Sequence, residues 1–204
     1  MIGDKIYREV SMERDLIYSL FSSPHVIETK RLLLRPIRIE DARDMYEYCS
    51  VPEVSRYVTW ERHPSESFTK RNIRRILKGY KAGTFFDFAI VYKKNGKMIG
   101  TCGYTSFDFD SDSAEIGYVV NPDYQRISVA TEAASEVISY AFEVLGAKRV
   151  FARFIEGNDA SRRVMEKCRM EYETTHERGA VKDGRFVRVT VYSLTRDRYF
   201  AVNG

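Results

Sequence analysis

The stretch from residue 114 to residue 155 restricts the fold more than any other part of this chain. Ala114 to Val120 alternates as a strand and stops at Asn121-Pro122. Ala130 to Leu145 then carries helical periodicity as far as Gly146, and Arg149 to Ile155 alternates again. A strand, a long helix and a second strand in succession form a crossover that lays the two strands parallel. The surrounding segments ask for antiparallel pairing. Phe85 to Tyr92 and Lys97 to Tyr104 flank Asn95-Gly96, a hairpin signal because both residues tolerate the positive φ of a type I′ turn. A last hairpin folds around Asp183-Gly184. With a strand at Arg31 to Arg35, the expectation is an α/β chain with a mixed, mostly antiparallel sheet and a parallel pair in its middle. Helices are expected from Asp41 to about Cys49, after Pro64-Ser65, and from Asp159 to Cys168.

A chain of 204 residues without an internal repeat or a Pro/Gly/Ser linker reads as a single domain, here 27–204, preceded by an extension over 1–26. Within that extension Met12, Leu16, Leu20 and Phe21 recur at helical spacing and predict a short amphipathic helix lying on the body or on a partner subunit; a monomer or a homodimer is expected. The net charge of +4 gives no general reason to expect nucleic acid or an anionic membrane. The helix after Ser65 carries Lys70, Arg71, Arg74, Arg75, Lys78 and Lys81 on one side. That face is either solvated or a docking surface for an acidic partner such as a ribosomal component. Three cysteines without a C-x-x-C pair point to a reducing compartment, the cytoplasm by default. No apolar run approaches the roughly 18 residues of a membrane span. His25, His63 and His176 lack ligand-spaced partners, and Asp108 to Asp112 imitates an EF-hand opening but has Ser113 and Val119 at the required Gly and Glu positions, so no metal is expected.

Chemistry is suggested at Asn121 to Thr131, where a loop enters a long helix. The first N–H groups of such a helix lack partners and lie at the positive end of its dipole, which suits a phosphate. The run Val120-Asn-Pro122-Asp-Tyr124-Gln125-Arg126-Ile127-Ser128-Val129-Ala130 resembles the acetyl-CoA signature of the GNAT acyltransferases, Gln/Arg-x-x-Gly-x-Gly/Ala after Val-x-Pro-x-Tyr. Asn158-Asp-Ala-Ser161-Arg-Arg-Val164-Met165-Glu166-Lys167 is similar to the family's second signature. Thr29-Lys-Arg31-Leu-Leu-Leu-Arg35-Pro36 with Asp41 resembles the opening of its ribosomal-protein N-acetyltransferase branch. The resemblance spans about 28 to 195. Three positions depart from it: Arg126, Ser128 and Arg169 stand where the family usually has glycine. If Ser128 needs a positive φ, its side chain costs about 1–2 kcal/mol, whereas Arg126 could offset this with a charge-assisted bond to a pyrophosphate.

The resemblance implies a GNAT-like twisted sheet with a splayed central parallel pair and helices on both faces, and acetyl-CoA as co-substrate without a metal. The pantetheine arm is expected between strands 114–120 and 149–155, lined by Val119 and Val120, with the Val120 N–H polarising the thioester. The pyrophosphate is expected on Gln125, Arg126, Ile127, Ser128, Val129, Ala130 and Thr131, with Asn158 reaching the distal arm. The helix tyrosine that many family members use to protonate the thiolate is replaced by Met165, which leaves Ser161. Glu115 is the candidate base. The implied activity is direct N-acetylation of a protein N-terminal α-amine or a small amine. The alternative is a degenerate acyl-CoA-binding module that regulates without catalysing.

Overall fold

The structure, a computed structural model, describes residues 12–22 and 26–203. Its elements are α1 (Arg14–Ser22), β1 (Ile27–Glu28), β2 (Leu32–Arg35), α2 (Ala42–Cys49), α3 (Pro52–Ser55), α4 (Glu66–Lys81), β3 (Phe86–Tyr92), β4 (Lys97–Asp108), β5 (Ser113–Val120), α5 (Val129–Glu143), β6 (Arg149–Ile155), α6 (Asp159–Lys167), β7 (Glu171–Lys182), β8 (Arg185–Thr195) and α7 (Arg196–Asn203). The strands form one sheet in the order β1-β2-β3-β4-β5-β6-β8-β7. All neighbours are antiparallel except β5 and β6, which pair in parallel through Ser113, Ala114 and Glu115 with Arg149, Val150 and Phe151. Past Glu115 and Phe151 the two strands no longer pair. β6 continues on β8 as far as Ile155, and β5 continues on β4 as far as Val120. A gap therefore opens in the middle of the sheet.

Period-two alternation divides the apolar residues between two layers. On one face Phe88, Ile90, Ile116 and Val150 pack with Ile17 and Phe21 of α1, Val137, Ile138 and Phe142 of α5 and Met165 of α6. On the other face Ala89, Val91 and Met98 pack with Met45 and Tyr48 of α2 and Ile73 and Ile76 of α4. Of the predicted apolar stripe near the N-terminus, Met12 and Phe21 are buried and Leu20 packs half-buried against the core, while Leu16 is exposed and Ile17 takes its place. Met12 precedes the helix, and Ile17 and Phe21 are the buried positions of α1. Phe21 meets Phe86, Phe88 and Tyr104, so this part of the extension is built into the main core. Residues 1–11 and 23–25 of it, His25 included, lie outside the described residues.

Two further expectations are corrected. The turn between β3 and β4 spans 93–96 and only Gly96 has a positive φ (69°), so it is not the two-residue type I′ turn predicted at Asn95-Gly96. Asp183 (φ 51°) and Gly184 (φ 74°) form that turn instead, with Lys182 opposite Arg185. The short helices α3 and α7 were not foreseen. α3 is a single turn and α7 carries no clear apolar stripe, so periodicity does not register in either.

Candidate active site

Local rules explain how the loop before α5 is built. Asn121 accepts the Asp123 N–H (3.0 Å), Pro122 opens a single 3-10 turn through Tyr124, and Gln125 returns to extended backbone. Arg126 (φ 63°) and Ser128 (φ 64°) are both left-handed, and α5 begins at Val129. The first helical bond of α5 runs from Glu132 N to Ser128 O. The N–H groups of residues 126–131 have no protein acceptor among the described residues. Six unmatched donors at the positive end of a 15-residue helix form an anion cradle. The side chains of Gln125, Arg126, Ile127 and Ser128 are exposed around it, Ala130 and Thr131 are half-buried, and Val129 is buried and anchors the helix.

The cradle is fastened from across the sheet. Glu132, in the first turn of α5, accepts from Thr29 Oγ1 (2.5 Å), Arg31 N (3.0 Å) and Arg31 Nε (2.6 Å), while Arg31 Nη1 donates to Ile127 O (2.7 Å). Burial alone would raise the Glu132 carboxyl, but the bonds from Thr29 and Arg31 outweigh it and hold the group ionised below its ordinary range. This is the physical role of the Thr29-Lys-Arg31 opening, which the sequence offered only as a resemblance.

The gap beside the cradle is lined by backbone. Asn121 N donates to Ile99 O (2.7 Å), with Gly100 opposite Val120 and Thr101 opposite Val119. Because an antiparallel ladder alternates, Val119 bonds toward β4 and Val120 faces the gap. Gln125 Nε2 reaches the Val120 carbonyl from that side (3.2 Å). A peptide edge of this kind, without a strand partner, suits an amide-bearing arm laid along it, and the Val120 N–H points into the gap.

At the far side of the gap, Asn158 Oδ1 caps α6 by accepting Ser161 N (3.2 Å). Ser161 Oγ lies 3.0 Å from the hydroxyl of Tyr118, which also donates to Ser161 O (3.0 Å). Tyr118 was not singled out from the sequence. Alternation puts it on the same face as Ile116, but only the packing of α6 against α5 and β6 brings Ser161 to its hydroxyl. Met165 is buried one turn further along α6.

Glu115, the base expected from the sequence, is held by its neighbours. It is buried, its Oε1 accepts from Arg153 Nε (2.7 Å), and its Oε2 accepts from Arg153 Nη2 (2.9 Å) and Ser106 Oγ (3.0 Å). It also sits in the paired half of the parallel strands, opposite Phe151, before the gap opens. The ion pair ties β5 to β6 and offsets the carboxylate's charge, so a base at Glu115 would work against its own pairing, through the acceptor position left on Oε1.

All three departures from glycine fall on left-handed backbone. Arg169 (φ 66°) follows α6, where Met170 N bonds to Met165 O (3.0 Å) in the helix-ending motif that ordinarily favours glycine. Among the described residues no cluster of His, Cys, Asp and Glu could hold a metal, and no helix is long and apolar enough to cross a membrane.

This combination of open parallel pair, amide-lined gap and helix-capped cradle matches a known class. Residues 31–171 match the acetyltransferase (GNAT) domain family, and the chain belongs to it. It is 30% identical over 173 residues to the uncharacterized N-acetyltransferase YoaA of Bacillus subtilis, covering 85% of this chain and 98% of that one. It is 32% identical over 202 residues to the FsC-acetyl coenzyme A-N(2)-transacetylase of Aspergillus fumigatus, covering 85% and 83%. A GNAT acetyltransferase from Bacillus anthracis superposes with a TM-score of 0.76 at 24% identity, covering 85% of this chain and 99% of that chain. RimL, a ribosomal L7/L12 alpha-N-protein acetyltransferase solved with coenzyme A, shares the fold with a TM-score of 0.73 at 14% identity, covering 85% and 99%. The chain is an N-acetyltransferase with a mixed, mostly antiparallel GNAT sheet.

Proposed function

We propose that this chain transfers the acetyl group of acetyl-CoA directly to a primary amine, either a protein N-terminal α-amine or a small amine. The observation that carries the reading is the row of unmatched N–H groups at 126–131, at the mouth of the gap between β5 and β6. The amides and Arg126 would hold the pyrophosphate, Val119 and Val120 would border the pantetheine, and Asn158 would meet the arm where α6 begins. Acetyl-CoA supplies an acyl carbon already activated as a thioester. The protein's part is to bind and orient it, to present the Val120 N–H to the oxygen that gains charge, and to keep the departing sulfur solvated.

With Glu115 committed to Arg153, an amine has to arrive largely unprotonated. An α-amino group titrates near about 7.7–8.0 and a lysine near about 10.4, so freeing a lysine at neutral pH costs roughly 3–4 kcal/mol more. That favours an N-terminal α-amine or a small amine of similar acidity. The relatives' names include one acceptor of each kind, a protein α-amine for RimL and the N(2) group of FsC for the Aspergillus enzyme.

Thiol release from acetyl-CoA, measured against peptides with free N-terminal Ser or Ala and against small polyamines, tests the reading. Acceptor-dependent release of free CoA with saturable acetyl-CoA is expected. The competing reading, a binding module without catalysis, draws on the tied-up Glu115 and on Met165. It predicts calorimetric binding of acetyl-CoA with no acceptor-dependent thiol from any amine.

A further inference from the structure

Tyr118 belongs to none of the roles assigned so far, although it occupies the middle of the site. Its backbone lies in the half of β5 that has lost its partner on β6. Its side chain leaves β5 and ends on the first turn of α6, the helix that follows β6, with the hydroxyl 3.0 Å from both Ser161 Oγ and Ser161 O. The phenol therefore spans the gap from one edge to the other on the side where α5 and α6 pack. The hydrogen bonds fix its polarity: the Tyr118 O–H donates to the Ser161 carbonyl, and the Ser161 hydroxyl is free to donate to the phenol oxygen.

We propose that Tyr118 is the hydrogen-bond donor to the leaving sulfur, with Ser161 as the positioning residue that holds the phenol. The proposal rests on the acetyl-transfer reading. As the bond from amine nitrogen to acyl carbon forms and the bond from carbon to sulfur breaks, the electron pair stays on sulfur. The Tyr118 O–H turns from the Ser161 carbonyl to that sulfur while Ser161 Oγ–H continues to donate to the phenol oxygen. The ammonium proton leaves to water and sulfur takes a proton from water, so amine and thioester become amide and thiol while the tyrosine keeps its own proton. Burial raises the Tyr118 phenol further above its ordinary range, against the lowering effect of the Ser161 bond. A phenol that remains protonated is suited to donate a hydrogen bond and unsuited to give its proton away.

The test uses coenzyme A itself and needs no acceptor. Calorimetry first establishes that CoA binds to the wild-type and Tyr118→Phe proteins; the ultraviolet absorbance of the bound thiolate is then followed from pH 6 to 10. A donor facing the sulfur stabilises its anion, so the wild-type bound thiol should ionise about one pKa unit below that of the Phe variant, a tenfold difference in thiolate fraction. Identical titrations would overturn the proposal while leaving acetyl transfer intact. Failure of the wild type to bind CoA would remove the acetyl-transfer reading and this proposal together. If the Phe variant alone does not bind, Ser161→Ala carries the test. It keeps the phenol but loosens its hold, and it should lower the thiolate fraction of the bound thiol at least threefold at a given pH; no change would overturn the assignment.

Discussion

Replacing Ser128 and Arg169 by glycine should stabilise the protein, because the fold holds both in a conformation that suits glycine. Their φ values are 64° and 66°. An L-residue with a Cβ in the left-handed region costs about 1–2 kcal/mol relative to glycine. Glycine gives back roughly 0.4–1 kcal/mol by enlarging the freedom of the unfolded chain. The balance at each position is a gain of about 1 kcal/mol or somewhat less. For a chain of 204 residues such a gain raises Tm by about 2–4 °C. The two residues sit in different loops, one opening α5 and one closing α6, so their gains should add to about 4–8 °C. Neither side chain is buried, and neither makes a side-chain hydrogen bond or ion pair among the described residues, so no contact is lost with them. Because the loop is left-handed before any ligand arrives, the strain belongs to folding rather than to binding. Affinity for CoA should therefore change less than about threefold in Ser128→Gly. Calorimetric melting of the single and double variants, with CoA titrations alongside, makes the check. A double variant that melts at or below the wild type would refute the reasoning.

Arg31→Ala removes both the bond to Ile127 O and the bridge to Glu132. It should raise the KM for acetyl-CoA about tenfold while changing kcat little, since the loop loses its set rather than its chemistry; steady-state kinetics would contradict this if kcat fell and KM stayed. Arg126→Ala should weaken CoA binding in calorimetry, and an unchanged Kd would show that the guanidinium does not reach the phosphates. Asp87, beside Gly103, is pushed up to about 7, mainly by burial and against the bonds from Thr101 and Phe88 N. An acid whose folded value lies above its unfolded value of 3.8 stabilises the fold most below pH 4. It loses that contribution as pH rises toward 7, by up to about 4 kcal/mol. Asp87→Asn should consequently gain stability at pH 8 and flatten the pH 4–7 slope in urea unfolding; equal slopes in the two proteins would show that Asp87 is not the cause.

Legibility in the sequence followed range. The crossover, the helix starting near Ala130 and the strand from Arg149 to Ile155 could be read because each is fixed by local period and stop signals. So could the loop's suitability for an anion, since it follows from where a helix begins. Ion pairing across the sheet could not be read. Arg153 lies 38 positions from Glu115 and bonds it only because β5 and β6 are parallel with Glu115 opposite Phe151, a register that no local pattern specifies. Tyr118 was missed for the same reason, its partner Ser161 being 43 positions away. The left-handed backbone at Arg126, Ser128 and Arg169 was hidden by side chains that do not advertise it, and only the comparison with glycine-bearing signatures raised the question.

The central claim is that an acyl-CoA lies across the loop at 125–131 and into the gap between β5 and β6. A crystal structure with bound CoA tests it most directly. The account predicts pyrophosphate oxygens within hydrogen-bond distance of backbone N–H groups in residues 126–131, and the pantetheine arm between Tyr118–Val120 and the end of β6. Phosphates bound elsewhere on the molecule, with the gap closed by β5 pairing to β6 beyond Phe151, would contradict it.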